Sequence, residues 1–224
     1  MPSLIAEDLL LLLLDDQTGR MTHTSYLRLG VGGALLVELA LTEAVQIAPK
    51  TSWLARPKVT ATSVLSPDDP VLAGALATVR EKPRTAQDLV TRLGKDQRDV
   101  LLGRLADRGL VRREEGQVLG LFPRTAWPSR DSSAETELRR RLADVLVRGT
   151  TPEARTGALI GILFALGIAH RVVDDEGTGK RAVRQRAKQV AVDDWAAAAV
   201  RDAIAATQAA VSAAMVAASA STGG

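Results

Sequence analysis

The sequence predicts a mainly α-helical protein, a helix bundle with two small β-hairpins, and three observations carry that prediction. Apolar residues recur at helical spacing or fill helix-length segments over most of the chain, Gly and Pro fall at segment ends, and only two short regions read as paired strands. With 224 residues, 46% of them hydrophobic and 25% charged, the chain can bury a core without disulfide or metal staples. One domain over residues 1–224 is expected, with a disordered tail over 219–224.

In order, Leu4 to Leu14 contains six consecutive leucines and reads as a helix buried on most sides, closed by the turn Asp15-Asp16-Gln17-Thr18-Gly19. Ser25 to Leu41 is apolar almost all round, the pattern of a central helix. Its one acid, Glu38, is expected to pair with or cap a neighbouring element, since no second carboxylate or His accompanies it in the segment. Ala44–Ile47 and Lys58–Ala61 read as a hairpin, and Pro67-Asp68-Asp69-Pro70 starts a helix running to Arg80. Thr85 caps a short helix to Leu93, Gly94 breaks it, and a helix from Lys95 or Asp96 stops at Gly109. Leu110 to Phe122 reads as two strands about a Glu115-Gly116 turn, followed by a loop holding Pro123, Pro128 and Ser129–Ser133. Glu135–Val147, Pro152–Val172, Gly177–Val192 and Asp193–Ala218 read as helices, the last a thin one with fourteen Ala between Ala196 and Ala220.

Composition narrows the function. There is no Cys and only two His, His23 and His170, which removes thiol nucleophiles, disulfides and Cys-based metal sites and argues against a His triad. The phosphate-binding loop, the Gly-x-Gly-x-x-Gly fingerprint, the nucleophile elbow and the His-Glu-x-x-His motif are all absent from the sequence. No catalytic residue, metal site or cofactor is therefore expected. Gly30-Val31-Gly32-Gly33 lies inside an apolar helical segment, where close helix packing is its natural role. Thirteen residues without a polar side chain, Gly157–Ala169, fall short of the ~20 a membrane span needs. Acidic residues bracket the leucine run, so no export signal is expected and the chain reads as cytoplasmic.

The formal charge is only +3, but Arg80 to Arg113 holds ten Lys/Arg against five acids. Lys95 and Arg98, three apart at a helix N-terminus, would face the same way and suit an anion; the competing reading is a solvated face paired to nearby acids. Helix, Gly break, helix and hairpin is also the plan of a winged helix-turn-helix, which makes a DNA-binding regulator an alternative. The modest total charge and the acids Asp96, Asp99 and Asp107 argue against nucleic acid. Val118, Leu119, Leu121 and Phe122 form an apolar arm suited to a bilayer interface.

The opening Leu4-Ile-Ala-Glu-Asp-Leu-Leu-Leu-Leu-Leu-Leu14, the segment Gly33-Ala-Leu-Leu-Val-Glu-Leu-Ala-Leu41 and Leu105-Ala-Asp-Arg-Gly-Leu-Val-Arg-Arg-Glu-Glu115 with its apolar hairpin together resemble the Golgi phosphoprotein 3 family, from Leu4 to about Ala218. The resemblance implies a helical bundle wrapped by amphipathic helices with small β-hairpins. It also implies a non-catalytic, peripheral membrane adaptor that binds phosphatidylinositol 4-phosphate, on the cytosolic Golgi face in eukaryotic members. Carried over by position, the family's paired headgroup arginines fall on Lys95 and Arg98, its Trp near His23 and its helix Arg on Gly32, with Arg28 one turn earlier as a substitute. A Lys for Arg gives up a bidentate fork, and Gly32 gives up a phosphate partner. The hairpin residues Val118, Leu119, Leu121 and Phe122 then become candidates for membrane insertion or self-association. The family's basic N-terminal extension is missing before the first helix, and with 23 Arg to 6 Lys the composition points to a bacterial homologue. The expected partners are an anionic phospholipid headgroup at a membrane surface and a second copy of the chain. A protein-only scaffold is the remaining alternative.

Overall fold

The computed structural model describes residues 3–22, 26–48, 57–63, 66–118 and 122–191. Among them it is mainly helical: α1 (Ile5–Leu13), α2 (Leu27–Leu41), α3 (Pro70–Arg80), α4 (Ala86–Leu93), α5 (Gln97–Asp107), α6 (Ser133–Leu146), α7 (Ala154–Ala165) and α8 (Lys180–Val190). Five short strands accompany them, β1 (Val45–Ile47), β2 (Lys58–Ala61), β3 (Arg84–Thr85), β4 (Glu114–Val118) and β5 (Phe122–Ala126). They form an antiparallel sheet in the order β1-β2-β3 and a separate β4-β5 hairpin.

The leucine run behaves as its composition demands. Ile5, Leu9, Leu10 and Leu13 are fully buried, and α1 packs on α2, α5, α6 and α7. Each leucine taken out of water contributes roughly 2 kcal/mol before the entropy of ordering it. Helix α2 is the hub, touching α1, α3, α4, α5 and α7. At its end Glu38 reaches across to α1, where the Ile5 N–H donates to Glu38 Oε2 at 2.7 Å. Its other oxygen accepts from Arg155 of α7, whose guanidinium also donates to the Ser3 carbonyl. The expectation of a capping, charge-paired Glu38 is met by side chain and backbone together.

Glu7 is the second buried acid, at 0% exposure. It accepts from the Leu4 N–H at 2.8 Å, tying off the start of α1. It also pairs with Arg104 of α5 at 2.9 Å and with Arg108, the residue that closes α5, at 3.0 Å. Arg104 extends its fork to Asp69 at 2.9 and 2.6 Å, and Asp69 in turn caps α3 through the Val71 and Leu72 N–H groups. One guanidinium thus fastens α1, α3 and α5 together.

Three sequence expectations are corrected. The segment Pro152–Val172 is not one helix: α7 ends at Ala165, Gly167 takes φ +74°, and a 3₁₀ turn follows over Ala169–Arg171, because a left-handed residue closes the helix at little cost when it is Gly. Glu115-Gly116 is not a turn. Both residues sit inside β4, opposite Thr125 and Arg124, while the expected loop at Pro123 is strand β5. A two-stranded ladder leaves alternate N–H groups facing outward, so Pro123, opposite Gln117, does not stop it. Lys95 precedes α5 instead of lying on it, because Asp96 adopts φ +58° and the helix begins at Gln97. The expected helix Asp193–Ala218 and the tail over 219–224 lie outside the described residues.

Candidate headgroup site

The α4–α5 elbow carries the basic residues singled out by the sequence. Thr85 Oγ1 accepts from the Asp88 N–H and starts α4. Arg92 near its end grips both oxygens of Asp88 at 3.0 Å. Gly94 follows, with an ordinary φ of −81°. Its requirement for glycine is therefore not a left-handed turn. A Cβ on Gly94 would lie 1.8 Å from the Arg28 carbonyl oxygen, and a Cβ on Gly32 would lie 1.9 Å from that of Val90. Helices α2 and α4 meet backbone to backbone at these two glycines, the close approach that small residues permit.

This contact brings Arg28 to the elbow. Its guanidinium donates to the Thr91 carbonyl at 2.9 Å through Nη2 and 3.3 Å through Nε, satisfying an oxygen near the C-terminus of α4. Lys95 follows Gly94 directly in the chain, 68% exposed and 4.0 Å from Asp96; Arg98 is 49% exposed and 3.6 Å from Asp99. Gly32 is buried in the α2–α4 contact and brings no functional group to the elbow. His23, Leu119 and Leu121 lie outside the described residues. Val118 and Phe122 form the last backbone pair of the β4–β5 ladder.

The local cation excess is largely absorbed by structure. Arg84 is buried and bonds Glu81 at 2.7 Å and the Thr78 carbonyl at 2.9 Å. Arg104 and Arg108 hold Glu7, and Arg112 and Arg113 pair with Glu114 and Glu115 at 2.8 Å. Among the cluster's ion pairs, those of Lys95 and Arg98 are the longest. Pairs this exposed contribute about 0–1 kcal/mol, so both side chains can be redirected to an incoming anion at small cost.

A second concavity escaped the sequence reading. An open cleft of about 440 Å³ lies between α5 and the base of the hairpin, with Arg98 at one end and Arg113, Thr125 and Trp127 on the hairpin side. Trp127 sits in the stretch read as a loop, and its role depends on tertiary contacts that no local pattern encodes. The guanidinium of Arg113 lies over its ring, 5.8 Å from the centroid.

The elements and the elbow together define a mainly helical protein with an exposed cationic corner and, among the described residues, no helix long and apolar enough to cross a membrane. The chain belongs to the Golgi phosphoprotein 3 family: the model of that family, Golgi phosphoprotein 3 (GPP34), matches residues 5–207, nearly the whole chain. Membership is consistent with a non-enzymatic, adaptor-type protein. A comparison with curated proteins found no match.

Proposed function

We propose that this chain is a peripheral membrane adaptor that holds an anionic phospholipid headgroup, of the phosphoinositide type, at the α4–α5 elbow. Lys95 and Arg98 supply the charge, Arg28 closes the corner from α2, and by sequence position the family's Trp falls near His23. The hairpin arm with Val118, Leu119, Leu121 and Phe122 enters the bilayer interface or joins a second copy of the chain. The observation that carries the reading is that Lys95 and Arg98 keep long, exposed ion pairs to Asp96 and Asp99, at 4.0 and 3.6 Å, whereas Arg84, Arg92, Arg104, Arg108, Arg112 and Arg113 each hold a carboxylate at 3.0 Å or closer. With a point-charge Lys and no side chain at Gly32, the elbow selects negative charge more than one phosphate position.

Vesicle co-sedimentation tests the reading, using neutral, phosphatidylinositol, phosphatidylinositol 4-phosphate and cardiolipin vesicles at matched ionic strength. Binding is expected for the anionic vesicles only. The Lys95→Ala/Arg98→Ala protein should bind about 30-fold more weakly, from about 1 kcal/mol for each basic residue at an anionic surface. If the wild-type protein ignores every vesicle, the reading fails and a DNA or protein partner takes its place.

A further inference from the structure

We infer that the cleft between α5 and the hairpin base is a second binding site, for a zwitterionic phosphodiester of the phosphoethanolamine class. It goes beyond the anionic-headgroup reading, sharing only Arg98 with the elbow and differing in charge type.

Gly103 lies inside α5 and lines the cleft, and a Cβ placed on it would meet nothing within 4 Å. A glycine in a helix interior costs about 1 kcal/mol relative to alanine, and no packing contact among the described residues requires one here. The missing side chain keeps the floor of the cleft open. Trp127 supplies a second, independent observation. It is 4% exposed, lines the cleft, and its indole N–H has no hydrogen-bond acceptor among the described residues. Buried donors in native proteins nearly always have a partner, so this one, closed to solvent in the wall of the cleft, is an exception that a bound partner would remove.

The lining charges name the ligand. Arg98, Arg113, Asp99 and Asp107 line the cleft, two charges of each sign, with Arg98 3.6 Å from Asp99 and Arg113 held by Glu115 beside the cleft; the two aspartates lie eight residues apart on α5 and so about 12 Å along its axis. A simple anion would meet two carboxylates as well as two guanidinium groups. A molecule carrying both signs satisfies both sets, its phosphodiester on the arginines and its ammonium on an aspartate. The cationic end is a primary ammonium. Arg113 already covers the Trp127 ring, leaving that face closed to a quaternary ammonium, whereas the aspartates accept N–H donors.

The test is a titration of the full ¹⁵N-labelled chain with glycerophosphoethanolamine, following the Trp127 indole resonance, which Trp127→Phe assigns. A saturable shift is expected, with binding at least about tenfold weaker for glycerophosphocholine and for inorganic phosphate. Gly103→Leu fills the floor and Arg113→Gln removes an exposed charge, and each should weaken binding about tenfold or more while the thermal transition shows a folded protein. No shift, an equal response to inorganic phosphate, or wild-type binding by both variants would overturn the inference. Phosphatidylethanolamine and phosphatidylcholine vesicles identify the source. Preferential sedimentation with the former makes it a lipid headgroup, and binding of the free phosphodiester without that preference makes it a soluble molecule in the same cleft. The elbow is tested by phosphatidylinositol 4-phosphate vesicles, so either site can fail alone.

Discussion

Gly32 and Gly94 each stand where a single methyl group would overlap a neighbouring carbonyl oxygen, at 1.9 and 1.8 Å. Main chain cannot move aside as a flexible side chain can, so Gly32→Ala and Gly94→Ala should each cost about 2–4 kcal/mol, read as a lower urea midpoint. Asp69 provides a residue-level pH prediction. Burial opposes its ionisation, but the Arg104 fork and the Val71 and Leu72 N–H groups outweigh that and hold its carboxyl below the ordinary 3.8. The native state therefore binds this proton less tightly than the unfolded chain does. The stability it contributes is present in full above the ordinary aspartate range and is lost as pH falls through the lowered native value. Asp69→Asn should be less stable at pH 7 and should lose less stability between pH 5 and pH 2 than wild type, as measured by thermal melts.

At the scale of the elements, α5 offers a direct test of helix propensity. Gly103→Ala should raise stability by about 1 kcal/mol, since the added methyl has open space. An unchanged or lowered melting temperature would contradict the ordinary helical account of this position. The same helix marks the limits of sequence reading. Its body and its stop at Gly109, with φ +75°, were legible from apolar spacing and the glycine. Its start was not, because Asp96 takes a left-handed conformation that Asp tolerates but does not announce. The hairpin was legible as a pair of strands and misplaced in register, since Gly116 carries a turn signal by its residue type and only cross-strand pairing puts it inside β4. Glu38 as a cap was legible from its isolation in an apolar helix. Trp127 and the cleft were not, because their neighbours come from segments distant in sequence.

Across the whole molecule, the buried acids act as ties between distant segments. Glu38 links the start of α1, the end of α2 and the first turn of α7; Glu7 and Arg104 link α1, α5 and α3. Burial raises the Glu38 carboxyl above its ordinary 4.5, against the Ile5 N–H and Arg155 that lower it. Removing Glu38 strips α1 of a cap and leaves Arg155 without its main partner. Glu38→Ala should cost about 3–5 kcal/mol, and a double-mutant cycle with Arg155→Ala should show coupling of at least about 1 kcal/mol. A coupling near zero would mean that the two side chains act independently.

The glycine contact between α2 and α4 has a mechanical consequence. Where helices meet through interlocking side chains, rotamer changes give the joint slack; where carbonyl oxygens rest on Cα atoms, there is no rotamer to change. The elbow that carries Lys95 and Arg98 is thus bolted to the central helix of the protein. A pull on those two cations is transmitted to the leucine core as displacement of a rigid strut, and whatever holds the elbow holds the whole body at a fixed tilt.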